Sequence, residues 1–194
     1  MAYGDIICLT PDSAPIDHYP LNASEAFDIG EFVTLNTDGE VAVMADEATP
    51  DGVIGIAATG GDTTATASSA TGVGIFRYTT LGDFVPGDNA AQTGDMVAVR
   101  LFVPQTKYAS RNFATDGAGT DVTPTTALAG GQEAEYFVVG GVHGLDVGGA
   151  GAANTGLITD VLDTNMTPIE LSQGTGVWVV FRPVHHQLNK LDPA

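Results

Sequence analysis

The residues from Phe27 to Ala58 place the strongest limit on the fold of this chain, because short runs of alternating apolar residues there are separated by turn residues. Val33 and Leu35 share one face of an extended segment, as the side-chain period of two in a strand requires. The residues Asn36 to Gly39 follow as a turn in which the glycine can adopt positive φ. The pattern predicts a β-hairpin followed by a return strand at residues 53–56.

Further strands are predicted along the chain, and no window shows a sustained apolar repeat of 3.6 residues. Met96 to Val103 and Glu133 to Gly140 have strand patterns, while Leu157 to Leu162 suits either a short strand or a helical turn. Val177 to Phe181 is apolar on both faces and is therefore expected to be central or covered on both sides. The sequence predicts a mainly β protein with long Gly- and Thr-rich loops and little helix.

Composition excludes several classes of protein. The 194 residues include 24 acids and 6 Lys and Arg, which gives a net charge of −18. Such a surface repels phosphate, so no nucleic-acid partner is expected. Cys8 is the only cysteine, which excludes an internal disulfide. No run of about 20 apolar residues and no basic leader are present, so neither a membrane span nor classical secretion is predicted.

Acidic residues dominate the first part of the chain, where residues 1–76 contain twelve acids and neither Lys nor Arg. We expect this part to face water, because like charges repel unless they are solvated. Asp46, Glu47 and Asp51 raise the question of a calcium site, but they lack the alternating spacing of an EF-hand loop. We interpret them as a plain acidic loop.

The only basic cluster contains Arg100, Lys107 and Arg111, and aromatic residues are interleaved with it. One interpretation is that these cations pair internally with carboxylates of the same chain. The other is a docking patch, since Arg and aromatic residues are enriched at protein interfaces. The candidate contact residues in this segment are Arg100, Lys107, Tyr108, Arg111 and Phe113.

The first 22 residues are predicted to be an extended arm. Ile6, Ile7 and Leu9 suit a short strand, and we expect Pro11, Pro15 and Pro20 to interrupt regular structure after it. The arm is either a frayed terminus or a segment that lies over a neighbouring subunit. In the second case, its candidate contacts are Ile6, Ile7, Leu9, His18 and Tyr19.

No motif in the sequence predicts a catalytic or metal centre. Gly140 to Val147 resembles a calcium-binding nonapeptide in composition, but the register is wrong and there is one copy, so we expect a flexible loop with His143 exposed. His185 and His186 are adjacent and lack a nearby third ligand. No nucleophile elbow, phosphate-binding loop or zinc-protease motif is present. We expect no enzyme activity, no cofactor and no metal.

The order of residues in the opening stretch resembles that of the small β domains of capsid decoration (cement) proteins of tailed viruses. The matching residues are Gly30, Glu31, Val33, Leu35, Asp38, Gly39, Val41, Ala45 and Val53 to Ala58. The resemblance covers Ala23 to Val103 and implies a small β-barrel or β-tulip-like domain. It also implies a bacteriophage-type virion protein that is made in the host cytoplasm and binds the major capsid protein on the outside of the shell. The oligomeric state that it implies is a homo-trimer, with a dimer as the second choice.

The resulting division of the chain is an arm at 1–22, a decoration-like β domain at 23–103, a second β region packed on it at 104–184 and a tail at 185–194. Two other functions stay open. A secreted or surface adhesin-like module that binds calcium would explain the acidic, Gly- and Thr-rich β character. The other is a hydrolase on a β scaffold, although so acidic a sequence does not single out a catalytic pair of carboxylates.

Overall fold

The computed structural model describes residues 6–22, 26–44, 53–58, 61–62, 76–78, 84–86, 95–115, 130–148, 155–169 and 178–184. Within these ranges the chain forms strands and no helix, which confirms the mainly β class. The strands lie in two large sheets that do not close into a barrel, together with one small two-stranded sheet.

The described strands, in chain order, are β1 (Ile6–Cys8), β2 (Ile16–Pro20), β3 (Ala26–Phe27), β4 (Phe32–Leu35), β5 (Val41–Val43), β6 (Val53–Ala57), β7 (Gly61–Asp62), β8 (Phe76–Tyr78), β9 (Phe84–Pro86), β10 (Asp95–Leu101), β11 (Tyr108–Ser110), β12 (Phe113–Ala114), β13 (Glu133–Val139), β14 (Val142–Asp146), β15 (Thr155–Leu162), β16 (Pro168–Ile169) and β17 (Trp178–Pro183). β3 and β7 form the small sheet.

The eight-stranded sheet has the order β1-β11-β17-β15-β13-β14-β12, with β16 paired to β15. β17 lies between β11 and β15, so the central position predicted for the last strand is confirmed. The segment that suited either a strand or a helical turn is strand β15. β12 pairs in parallel with β14, whereas the other pairs in this sheet are antiparallel.

The seven-stranded sheet has the order β5-β4-β6-β10-β8-β9, and β2 pairs with β10. The chain beyond β2 reaches the far end of the same sheet, where Leu21 forms an isolated parallel bridge with Val41 and the Asn22 N–H donates to the Val41 carbonyl at 2.9 Å. The residue that follows β2 therefore bridges to β5 at the end of the sheet, and the sheet remains open.

An aromatic core joins the two large sheets. Phe32 and Phe102 contribute from the seven-stranded sheet and the loop that follows it, and Tyr108, Tyr136 and Phe181 contribute from the eight-stranded sheet. The ring centroids of Phe32 and Tyr136 are 4.8 Å apart, as are those of Phe102 and Tyr108. Such spacings are typical of favourable aromatic pairs, so the two sheets are held face to face by this cluster.

The predicted alternation in the opening stretch is confirmed. Val33 and Leu35 belong to an apolar cluster on one face of the seven-stranded sheet, while Phe32 points to the opposite face and the aromatic core. The hairpin turn is present, and Gly39 has φ of +79°. β4 is therefore buried on both faces, which explains why this segment is so regularly apolar.

Gly55 of β6 allows the close approach of a neighbouring backbone. A Cβ atom at this position would lie 2.1 Å from the Arg100 carbonyl oxygen. Because that oxygen belongs to the main chain of β10, a side chain at Gly55 would push the two strands apart. This glycine sets the distance between the strands at the centre of the seven-stranded sheet.

The short strand predicted at Ile6 and Ile7 is confirmed as β1, but the prediction that prolines interrupt all regular structure after it is wrong, because Ile16–Pro20 form β2. β1 pairs with β11, and Ile6 lies in the aromatic core with 1% of its surface exposed. β2 follows Pro15 directly and ends at Pro20, and it pairs with β10. The prolines are tolerated because Pro15 contributes only its carbonyl, which accepts from the Leu101 N–H at 2.9 Å.

The prediction that His143 is exposed in a flexible loop is also wrong. The residue lies in β14, and 1% of its surface is exposed. Its Nδ1 accepts a hydrogen bond from the Phe32 N–H at 3.1 Å, across the two sheets. Two glycines before this strand make it possible. Gly140 and Gly141 have positive φ and form a tight turn that places β14 directly beside β13.

Several sequence predictions fall outside the described residues. These are the acidic loop with Asp46, Glu47 and Asp51, most of the small-residue segment at 60–71, and the adjacent His185 and His186. The predicted boundary at 103/104 falls between β10 of one sheet and β11 of the other. Since both sheets share one core, the division into separate domains stays a prediction.

Candidate functional site

One exposed surface brings together residues from both of the predicted contact segments. We define the edge-strand surface as Pro11, Ile16, His18 and Arg100. Residues 11–18 are exposed apart from Ala14. Ile16 is one of three large apolar side chains found exposed in the described ranges, at 48%. An exposed apolar side chain on a strand at the border of a sheet is a candidate for contact with a partner.

The pairing of β2 with β10 fixes the geometry of this surface. Ile16 lies opposite Arg100, and His18 lies opposite Ala98. Directly paired residues of antiparallel strands project to the same face, so the isoleucine, the histidine and the arginine share one side of the sheet. Arg100 Nη1 donates to the Pro11 carbonyl at 3.1 Å, which holds the guanidinium group beside the exposed segment.

The remaining cations of the predicted docking patch are placed differently. Lys107 Nζ lies 2.9 Å from Asp160 Oδ2 and hydrogen-bonds to it, which lowers the pKa of that carboxyl. The internal pairing considered for the basic cluster therefore holds for Lys107. Both side chains are over 40% exposed, so the pair contributes little stability. Arg111 is exposed in the short connection between β11 and β12.

Three predicted contact residues are corrected by their burial. Ile6, Tyr108 and Phe113 lie in the aromatic core and have no accessible side chain to offer to another subunit. Ile7 and Leu9 are partly buried against a small apolar cluster on the other face of the eight-stranded sheet. Of the predicted arm, His18 is exposed, and Tyr19 is half-buried against the cluster that contains Val33.

Asp17 modifies the environment of its neighbours in β2. Its Oδ1 accepts a hydrogen bond from the His18 N–H at 2.8 Å. The pKa of Tyr19 is raised, first by burial and then by the charge and hydrogen bond of the Asp17 carboxylate. Asp17 lies between Ile16 and His18 in β2, so its side chain projects from the opposite face to the edge-strand surface.

Sequence reasoning missed Ile16 and Asp17 as candidates. A signal was available, since residues 15–20 read Pro-Ile-Asp-His-Tyr-Pro and a strand bounded by prolines is typical of a sheet edge. The interpretation of the prolines as breaks hid this strand. That interpretation places Ile16 in an irregular arm instead of on an exposed edge strand.

A buried histidine and a partly buried glutamate lie close together, but their arrangement is structural. His143 Nε2 is 3.5 Å from Glu31 Oε1, and Nδ1 accepts from the Phe32 N–H. A neutral imidazole has one accepting nitrogen, and here a backbone donor occupies it. Because the ring is also buried, we assign this pair to the junction of the sheets and not to a binding site.

In the ranges that the structure describes, no group of three or more His, Cys, Asp or Glu side chains is placed to hold a metal ion. The same ranges contain no helix long and apolar enough to cross a membrane.

Comparisons with protein-family models, with curated proteins and with solved structures found no match to this chain.

Proposed function

We propose that this protein is a structural virion protein that binds the outside of an assembled capsid and stabilises the shell by bridging subunits of the major capsid protein. The observation that carries the proposal is the edge-strand surface, where the exposed Ile16 lies beside the half-buried Arg100 on a strongly acidic chain. The resemblance of residues 23–103 to decoration proteins supports the same function. The protein acts by assembly and not by catalysis.

The charge of the chain supports a position on the outer surface. With a net charge of −18, the protein is repelled by packaged nucleic acid and is strongly hydrated. Arginine on the edge-strand surface offers a planar, bidentate donor to a carboxylate of the capsid. The adjacent isoleucine offers apolar area for the centre of such a contact.

Binding is multivalent in this proposal. A homo-oligomer, a trimer first and a dimer second, presents the same surface several times around a closed symmetry axis. Each contact is modest, but simultaneous contacts raise the overall affinity by orders of magnitude, about 100-fold to 10,000-fold in other multivalent systems. The partner is the major capsid protein, and the protein resides on the virion.

The test is to add purified protein to expanded, undecorated capsids and to measure co-sedimentation and stoichiometry. The wild-type protein binds stoichiometrically, and absence of binding at micromolar concentration would overturn the proposal. Melting that depends on calcium, together with absence of capsid binding, would instead favour the adhesin-like module.

A matched pair of variants locates the contact. Arg100→Ala removes an arginine that donates to a proline carbonyl at 3.1 Å on the edge-strand surface. Arg182→Ala removes an exposed arginine that donates to the Pro104 carbonyl, also at 3.1 Å, on the eight-stranded sheet. We expect Arg100→Ala to weaken capsid binding by at least about tenfold and Arg182→Ala to leave it near wild type. Equal effects would exclude the edge-strand surface as the contact.

A further inference from the structure

Arg100 is held by a neutral group although the chain is strongly acidic. Of the described residues, only Pro11 accepts a hydrogen bond from its guanidinium group, at Nη1 and 3.1 Å, and none forms an ion pair with it. The Pro11 carbonyl fixes the group without neutralising its charge. The nitrogens Nε and Nη2, which form a fork on the other side of the group, are therefore available to one carboxylate in a bidentate contact.

The Pro11 carbonyl belongs to a β-turn at residues 10–13. The Ser13 N–H donates to the Thr10 carbonyl at 3.0 Å and closes the turn. Pro11 occupies the second position, where its fixed φ is favoured. Its own carbonyl takes no part in closing the turn and is left to accept from Arg100. The three residues after Thr10 are exposed, so the position of this carbonyl depends on how the turn is attached at its ends.

Thr10 attaches the turn to the eight-stranded sheet. Its Oγ1 accepts from the Lys107 N–H at 2.9 Å, one residue beyond the Leu9 N–H, which donates to the Lys107 carbonyl at 2.8 Å. On the other side of the turn, the Pro15 carbonyl accepts from the Leu101 N–H at 2.9 Å. Of these three attachments, that of Thr10 alone uses a side chain, so a substitution can remove it without altering the main chain.

We propose that Thr10 is a positioning residue for Arg100, and that the turn it holds fixes the guanidinium group for a carboxylate of the capsid. The inference rests on the proposed function, in which Arg100 contacts the capsid. A long side chain that is already immobilised loses less conformational entropy on binding than a mobile one. Without the Thr10 hydroxyl, the exposed turn opens more readily, and Arg100 has to be ordered by the partner.

The test compares Thr10→Val with Thr10→Ser, which keeps the hydroxyl, and with Thr34→Val. Thr34 is a half-buried residue of β4 whose hydroxyl donates to the Ala42 carbonyl at 3.5 Å, so this variant controls for the loss of a threonine hydroxyl elsewhere. We expect Thr10→Val to weaken capsid binding by about two- to tenfold, as for the release of one ordered side chain. Thr10→Ser and Thr34→Val bind as the wild-type protein does.

A double-mutant cycle separates positioning from a general structural effect. If Thr10 acts through Arg100, adding Thr10→Val to Arg100→Ala weakens capsid binding no further than Arg100→Ala does alone.

A second readout needs no capsid. Side-chain NMR measures how fast each guanidinium group rotates about its Nε–Cζ bond, and a hydrogen bond at Nη1 slows this rotation. We expect the rotation of Arg100 to become about two- to tenfold faster in Thr10→Val, because its hydrogen bond to Pro11 is weakened. Arg182, which donates through Nε to the Pro104 carbonyl, is the internal control and is unchanged.

The two readouts distinguish failure of the inference from failure of the proposed function. The inference is overturned if Arg100 rotates equally fast in the wild-type protein and in Thr10→Val, or if the effects of Thr10→Val and Arg100→Ala on capsid binding add in full. Absence of wild-type binding to capsids overturns the proposed function, and the rotation of Arg100 then still decides whether Thr10 positions it.

Discussion

Tyr136 and Tyr108 show how two buried hydroxyl groups in one core differ in their effect on stability. The Tyr108 hydroxyl donates to the Leu101 carbonyl at 2.9 Å, whereas the buried Tyr136 hydroxyl has no hydrogen-bond partner among the residues that the structure describes. A buried polar atom without a hydrogen-bond partner destabilises the folded state, so removing that atom does not lower stability and can raise it. The same substitution is therefore expected to have opposite effects at the two positions.

We predict that Tyr108→Phe lowers the free energy of unfolding by about 1 kcal/mol, since it removes a buried hydrogen bond and leaves a carbonyl unpaired. Tyr136→Phe leaves the free energy of unfolding unchanged or raises it. Urea denaturation of both variants measures the difference, and each serves as the control for the other. A larger loss for Tyr136→Phe would show that its hydroxyl has a partner in solution.

These two tyrosines also predict how stability depends on alkaline pH. Burial raises the pKa of both Tyr108 and Tyr136 above the usual value. As the pH rises through about 10, tyrosines of the unfolded chain lose their protons while the buried ones keep theirs. The unfolded state then binds fewer protons, so the free energy of unfolding falls with pH. Urea denaturation between pH 8 and 11 measures this fall, and Tyr136→Phe should make it shallower.

At the scale of the strands, the N-terminal segment divides into a structural part and an exposed part. Ile6 of β1 is in the core, whereas Ile16 of β2 is 48% exposed. We predict that Ile6→Ala lowers the free energy of unfolding by roughly 2 to 5 kcal/mol, as for other buried isoleucines. Ile16→Ala changes it by about 0.5 kcal/mol or less.

Thermal or urea denaturation of the two alanine variants checks this division, because the substitution is the same and the positions are ten residues apart. If Ile6→Ala were as mild as Ile16→Ala, β1 would be the loose arm that the prolines first indicated. If the proposed function is correct, Ile16→Ala weakens capsid binding more than Ile6→Ala does, provided that both variants remain folded.

The sequence predicted strands best where a pattern is local. The alternation around Val33 required only the period of a strand, and the turn at Gly39 required only a residue that tolerates positive φ. The burial of Tyr108 and Phe113 was not predictable in this way, because it depends on pairing with β17 and β14, which are far away in sequence. Aromatic residues beside cations suit both a core and an interface.

Only part of the candidate site could be predicted from the sequence, because its geometry also depends on pairing between distant strands. Arg100 and His18 were both singled out by residue type, but only the antiparallel register of β2 and β10 places them on one face. A buried His143 had no local signal, since neighbouring glycines are as typical of a loop as of a tight strand connection. Its role follows from the Phe32 N–H of the opposite sheet.

For the whole molecule, charge is the dominant property. A net charge of −18 on 194 residues means that folding brings many carboxylates closer together. We predict that the melting temperature rises when NaCl is increased from about 0.02 to 0.5 M, because salt screens this self-repulsion. Differential scanning calorimetry measures the shift. Sucrose at matched osmolality is the control, and an equal rise in sucrose would assign the effect to solvent exclusion.

The N-terminal strands have a consequence for the order of events during synthesis. β1 pairs with β11 of one sheet, and β2 pairs with β10 of the other, so residues 6–20 leave the ribosome well before residues 95–110. Pairing between segments so distant in sequence is slow, and unpaired strands are prone to aggregate. The first strands to be made are thus among the last to be placed, and during this interval the nascent chain depends on its own acidic residues, or on a chaperone, to remain unassociated.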